Sequence, residues 1–161
     1  MRITKANVAL DSDKYPVLVK EHTKNYAAAR ELSTPEAIVK VMNCVFGASD
    51  AAEEYVWLLS MDIKCHVLAV FELSHGTVGY SYVGIREIMI RLLLTGASCF
   101  VILHNHPSGD VCASEYDLEA TRKLADAASL MCIKFIDHII VGKDHDGKEN
   151  YQSLKEAGVI Q

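Results

Sequence analysis

Two imidazoles, serine hydroxyls and carboxylates crowd into fourteen residues, His104-Asn105-His106-Pro107-Ser108-Gly109-Asp110 followed by Ser114 and Asp117. Two nitrogens and one carboxylate oxygen, with a fourth position left to water, make the donor set of a catalytic zinc, whereas a structural zinc is closed by four protein ligands. The apolar run Cys99-Phe100-Val101-Ile102-Leu103 leads into the histidines and reads as a buried strand. Residues two apart on a strand point to the same side, so His104 and His106 present their rings to one point while Asn105 faces away. Pro107-Ser108-Gly109-Asp110 is turn chemistry, and Ser114-Glu115-Tyr116-Asp117 opens a helix, which returns Asp117 toward the histidines.

Ser114 and Asp117 also fit the [ST]-x-x-[DE] capping box, and capping alone accounts for both residues. Cys112 offers a soft thiol five residues before Asp117 as a competing ligand. Ser108 and Asp110 are expected to hold the loop's shape, Asp110 by accepting from backbone N–H groups of the turn.

His104-x-His106, seven intervening residues, Ser114, two more and Asp117 resembles the signature of the JAMM (MPN-plus) metallopeptidases, and His-Asn-His-Pro-Ser-Gly-Asp is similar to the RadC branch of that superfamily. Asp137-His138-Ile139-Ile140-Val141-Gly142 and Tyr151-Gln152-Ser153-Leu154-Lys155-Glu156 resemble the family's closing segment, so the likeness runs from about Ser33 to Gly158. Val111-Cys112-Ala113 stands where RadC proteins usually have prolines. The chain also lacks room for the helical, DNA-binding-like region of longer RadC proteins. The resemblance implies a single-domain three-layer α/β/α fold of the JAB/MPN, cytidine-deaminase-like kind with a mixed sheet. Residues 1–32 would hold an N-terminal strand and connecting segment, and 33–161 the RadC-like domain.

It also implies roles: zinc on His104, His106 and Asp117, a glutamate as general base, and Ser114 as donor to the oxyanion. The glutamate opens an apolar strand after the first helix. Ala51-Ala52-Glu53-Glu54-Tyr55-Val56-Trp57 offers two, of which only one can face the site, and the family register selects Glu54. A surface position is the plain alternative for either, and Glu72 in the next strand is a third candidate. The implied reaction is zinc-dependent hydrolysis of an amide, in a peptide or in the isopeptide link to a ubiquitin-like protein.

Composition fits a small enzyme: 161 residues, 50% hydrophobic and 23% charged, enough for one core. Cys44, Cys65, Cys99, Cys112 and Cys132 form no CxxC pair and read as reduced thiols of a cytoplasmic protein. Met1-Arg2-Ile3-Thr4-Lys5 leads into polar residues, so no signal peptide is expected, and Arg86, Glu87, Arg91 and Gly96 break the longest apolar region, which excludes a membrane span there. A DNA-repair accessory is the rival suggested by the RadC name. A net charge of −5 and dispersed basic residues give it no electrostatic footprint, and the densest basic region, Lys14, Lys20, Lys24 and Arg30, is interrupted by Glu21 and Glu31. A non-catalytic MPN scaffold is the second rival, opposed by the intact ligand set.

The elements needed to position these residues are legible in outline. A short strand is expected at Tyr15–Glu21, then a helix capped by Ser33 or Thr34 with Pro35 first, running through Ile38, Val41, Met42 and Val45 to Gly47. Strands Glu54–Met61 and His66–Ser74 flank a hairpin-length connection, with His75-Gly76 as a turn, and Gly84–Thr95 forms a helix closed by Gly96. The helix Ser114–Leu130 is expected to bury Leu118, Leu124 and Leu130. Strands at Phe135–Val141 and around Tyr151 are separated by a polar turn carrying His145, and a short tail helix follows. His138 reads as a structural pair with Asp137, or as a partner to a metal ligand.

Overall fold

The computed structural model describes residues 1–26, 32–76 and 84–160. In chain order the elements are β1 (Arg2–Leu10), β2 (Pro16–Asn25), α1 (Pro35–Phe46), a single 3-10 turn (Ala48–Asp50), β3 (Glu54–Met61), β4 (Val67–Gly76), α2 (Ile85–Thr95), β5 (Cys99–Asn105), α3 (Glu115–Leu130), β6 (Lys134–Lys143) and β7 (Glu149–Ser153). The sheet order is β2-β1-β4-β3-β5-β6-β7, with β1/β4 and β5/β6 parallel and the other neighbours antiparallel. The mixed sheet expected from the sequence is therefore present.

Both faces of β3 and β5 are apolar, so both must be covered. Trp57, Leu59, Met61, Cys99, Val101 and Leu103 pack with Ile38, Val41, Met42 and Val45 of α1. Their alternate neighbours Val56, Leu58, Phe100 and Ile102 pack with Ile88, Met89 and Leu92 of α2 and with Leu124 and Ala128 of α3. Period-2 alternation thus divides one sheet between two helical layers, giving the three-layer α/β/α architecture. The helix ends follow local chemistry. Thr34 caps α1 by accepting from the Ala37 N–H at 3.3 Å with Pro35 behind it, and Gly47 closes it at φ +65°. No helix of the described residues is long and apolar enough to cross a membrane.

Several expectations need correction. The strand at Tyr15–Glu21 is longer and is one arm of a hairpin whose other arm, β1, was not expected. In β1 Ile3 lies on the α1 side and Ala6 and Val8 on the other, and the alternation Ala6, Val8, Leu10 is short, starting on a small residue and ending on the exposed Leu10. His75 and Gly76 do not turn; they end β4, where His75 stacks on Tyr55 with ring centroids 5.5 Å apart. The tail helix is only a turn, with the Ala157 N–H bonded to Ser153 O and Gly158 at φ +77°, anchored by the buried Leu154 and Ile160. Of the basic region, Arg30 and Glu31 lie outside the described residues.

The buried face of α3 also differs. Thr121, Leu124 and Ala128 are buried at spacings of three and four, whereas Leu130, six residues past Leu124, is 85% exposed. Six residues turn the helix about 600°, which leaves Leu130 roughly 120° off the core stripe. Leu124→Ala should therefore cost about 2–5 kcal/mol and Leu130→Ala less than about 0.5 kcal/mol. Urea denaturation of the two variants measures the difference, and equal losses would mean α3 is rotated from this packing.

Candidate metal centre

His104 lies one residue from the end of β5, on the same face as Phe100 and Ile102, which is the α2/α3 side, and it is 2% exposed. The residue between the histidines faces the other way and acts as a latch. Asn105 Oδ1 accepts from the Tyr55 N–H at 2.8 Å, and its Nδ2 donates to Ala51 O at 3.2 Å and Glu53 O at 2.9 Å. The His106 N–H donates to Val141 O at 2.8 Å, so the extended path continues past β5 and returns the second imidazole to the side of the first. The loop then closes on Gly109, at φ +81°, where a Cβ would stand 2.0 Å from Lys143 O. Only glycine lets this loop lie against β6.

Asp117 arrives from the first turn of α3. Its Oδ2 accepts from the Ser114 N–H at 2.8 Å and from the Ser114 hydroxyl at 2.6 Å, while the Asp117 N–H donates to Ser114 Oγ at 3.2 Å. The capping box and the ligand role are one arrangement: the cap occupies Oδ2 and leaves Oδ1 at 3.4 Å from His104 Nε2. His106 Nε2 is 3.9 Å from Oδ2.

The histidines turn their Nε2 atoms into the same space. His106 Nδ1 is 2.6 Å from Asp110 O, and a carbonyl only accepts, so the neutral ring carries its proton on Nδ1 and leaves Nε2 bare. His104 Nδ1 is occupied by His138 Nε2 at 2.8 Å, so it too offers Nε2. These Nε2 atoms are 3.0 Å apart, and one ligand atom from each of His104, His106 and Asp117 lies within 4.8 Å of the others. Tetrahedral zinc with bonds near 2.0–2.1 Å holds its ligand atoms ~3.3 Å apart. The 3.0 Å between the two Nε2 atoms and the 3.4 Å from His104 Nε2 to Asp117 Oδ1 lie on either side of that value. The His-His-Asp group can hold a divalent metal ion.

Residues 32–159 match the RadC-like JAB domain. The chain belongs to the RadC-like JAB domain family. It is 40% identical over 107 residues to a UPF0758 protein of Desulforudis audaxviator, covering 66% of this chain and 44% of that one. It is 35% identical over 107 residues to a UPF0758 protein of Desulfitobacterium hafniense, covering 66% and 45%. It is 32% identical over 132 residues to one of Geobacter sulfurreducens, covering 82% and 55%. The RadC-like chain spans about half the length of these curated relatives.

The remaining candidates separate clearly. Glu54 opens β3, half-buried, and shares the face of Val56, whose strand partner is His104. Glu53 is exposed and precedes the strand. Glu72, paired with Trp57 in the register, falls on the α1 face and binds Lys5 Nζ at 2.8 Å, so it is removed from the histidines. Cys112 is exposed and outside the ligand group, with its N–H donated to Asp110 Oδ1 at 2.9 Å. Asp110 Oδ1 thus accepts from a backbone N–H of the loop, and Ser108 Oγ accepts from the Asp110 N–H at 3.3 Å. His145 is an exposed turn residue.

His138 is not the side-chain partner of Asp137. The Asp137 carboxylate accepts from the Ser153 hydroxyl at 2.6 Å and the Lys155 N–H at 3.0 Å, while the His138 ring reaches His104 and, at 2.6 Å, Thr121 Oγ1. Thr121 went unnoticed in the sequence, although its position four residues after Asp117 was a signal that it shares that helix face.

Burial pushes both inner rings toward the neutral form that metal binding needs. Desolvation, aided by His138 and His106, holds His104 well below the ordinary 6.5, and desolvation likewise holds His138 down to about 4. The unfolded chain therefore protonates these rings first. Stability contributed by neutral His138 is complete above about pH 6.5 and is lost as pH falls toward 4, at up to about 1.4 kcal/mol per pH unit, and His104 adds a loss of the same sign. Metal-stripped protein denatured with urea at pH 7 and pH 5 should show this loss, and His138→Gln should show a shallower one. A flat profile would mean the rings are not buried as neutral groups.

Proposed function

We propose that this RadC-like domain is a zinc-dependent metallopeptidase or isopeptidase, hydrolysing an amide bond in a peptide or ubiquitin-like substrate. The observation that carries the reading is the pair of His104 and His106 Nε2 atoms facing each other at 3.0 Å with Asp117 Oδ1 beside them. In the metal-free protein one proton between the two Nε2 atoms satisfies the pair, a metal ion can take that proton's place, and two nitrogens plus one carboxylate is the protein share of a catalytic zinc site. Bound zinc supplies Lewis acidity, which lowers the pKa of water toward about 7 and polarises the scissile carbonyl.

The protein's own groups complete the reaction. Glu54, on the histidine face of β3, takes a proton from the attacking water and delivers it to the amine nitrogen as the C–N bond breaks and the water oxygen joins the carbonyl carbon. The Ser114 hydroxyl turns from Asp117 Oδ2 to the oxyanion, and the Ser114 N–H keeps its hold on that carboxylate. A net charge of −5 favours a peptide substrate over nucleic acid. The five free cysteines suit a cytoplasmic setting.

Elemental analysis should find one zinc per chain in the wild type and none in His104→Ala or Asp117→Ala. Glu54→Gln should keep the zinc and lose about 10²–10⁴-fold in cleavage of peptides or ubiquitin-like fusions, while Glu53→Gln stays active. If Glu53→Gln is the silent variant, the register is wrong by one residue. Zinc retained with no amide cleaved supports the scaffold reading, and tight, salt-sensitive DNA binding supports the repair accessory.

A further inference from the structure

A buried hydrogen-bonded chain leads from α3 to the metal centre. Thr121 Oγ1 lies 2.6 Å from Asp117 O and 2.6 Å from His138 Nδ1; His138 Nε2 lies 2.8 Å from His104 Nδ1; His104 Nε2 faces His106 and Asp117. Thr121 is 1%, His138 7% and His104 2% exposed, so water does not substitute for a missing partner along most of this chain. Resting on the metal reading above, we infer that Thr121 and His138 are positioning residues, which fix the ring nitrogen that His104 presents to the metal by relaying one hydrogen-bond direction from the Asp117 carbonyl.

The direction follows from counting donors. Ligation by His104 Nε2 places that ring's proton on Nδ1, which must donate to His138 Nε2. His138, neutral, then carries its own proton on Nδ1 and donates to Thr121 Oγ1. The threonine hydroxyl has one proton, and its remaining acceptor is the Asp117 carbonyl. Every member of the chain is then satisfied. In the opposite direction Thr121 donates to His138, His138 Nε2–H donates to His104 Nδ1, and His104 carries a proton on Nε2, where the metal must bind. The hydroxyl rotor decides between the two. The relay also joins two ligands, since Thr121 anchors on the backbone of Asp117 while orienting His104.

Removing the hydroxyl acts on the two states unequally. In the loaded protein, Thr121→Val strands a buried His138 Nδ1–H. In the metal-free protein, His138 escapes by moving its proton to Nε2. Zinc affinity should therefore fall while metal-free stability changes little, a split that a purely structural threonine would not produce.

The test is zinc competition against a chelator for wild type, Thr121→Val and Thr121→Ser, with metal-free melting temperatures, and ¹⁵N-detected imidazole tautomers in the zinc-loaded wild type. The relay predicts a loss of about 10–100-fold for Thr121→Val, restoration by Thr121→Ser, and protonated Nδ1 on both His104 and His138. Zinc-binding wild type with Thr121→Val within twofold of it, or with the His138 proton on Nε2, overturns the relay and leaves the metal reading standing. Wild type that takes up no zinc overturns both.

Discussion

Two imidazole nitrogens facing each other at 3.0 Å, each with its ring's other nitrogen already occupied, are the constraint around which this domain is organised. Here they are held by two different devices: His104 is buried between strands and bonded to His138, while His106 is tied by Nδ1 to the Asp110 carbonyl and by its backbone to Val141. The fold supplies the energy that keeps the rings converged, and a ligand that binds only this arrangement returns part of it as stability.

The capping box shows how little extra structure the carboxylate of the His-His-Asp group needs. Helix α3 would require a cap at Ser114 in any case, because its first N–H groups lack partners. Asp117 meets that need with Oδ2 and has Oδ1 left over. Position along the helix and orientation of the ligand oxygen are therefore set by one motif, and the packing of Leu124 and Ala128 against the sheet sets how far that oxygen lies from His104. A shift of α3 along its axis would break the cap's alignment with the histidines before it exposed much apolar surface.

Sequence alone carried the site further than the fold. The spacing His104-x-His106 at a strand end, the turn through Gly109 and the helix start at Ser114 could be placed because each rests on local rules of alternation, turn chemistry and capping. The strands β3 and β5 and the helices α1 and α2 were legible for the same reason. Local rules fail where a partner far along the chain decides. β1 carries only the short alternation of Ala6, Val8 and Leu10, and it pairs with β2 on one side and β4 on the other. His75 has turn-like neighbours but pairs with Tyr55 across the sheet. Leu130 lies beyond the stripe that the sheet covers, and His138 takes its partners from β5 and α3 instead of its neighbour Asp137. The glutamate ambiguity is of the same kind: Glu53 is exposed and precedes β3, and the pairing of Val56 with His104 assigns the histidine face to Glu54.

Asn105 explains why the ligand pair is spaced by one residue instead of standing on neighbouring strands. A strand end frays unless its last backbone groups find partners, and here the side chain between the ligands provides them by bonding the Tyr55 N–H and the carbonyls of Ala51 and Glu53. The same bonds fix the segment that delivers Glu54, so the angle between the histidines and the entry of β3 are governed by one amide. Putting the two histidines and the structure-holding amide on opposite sides of a single strand keeps the amide out of the His-His-Asp group. It also makes the two inseparable in consequence. Replacing Asn105 leaves the Tyr55 N–H without its partner on the α1 side, and the disturbance reaches both the imidazole pair and the carboxylate on the other face.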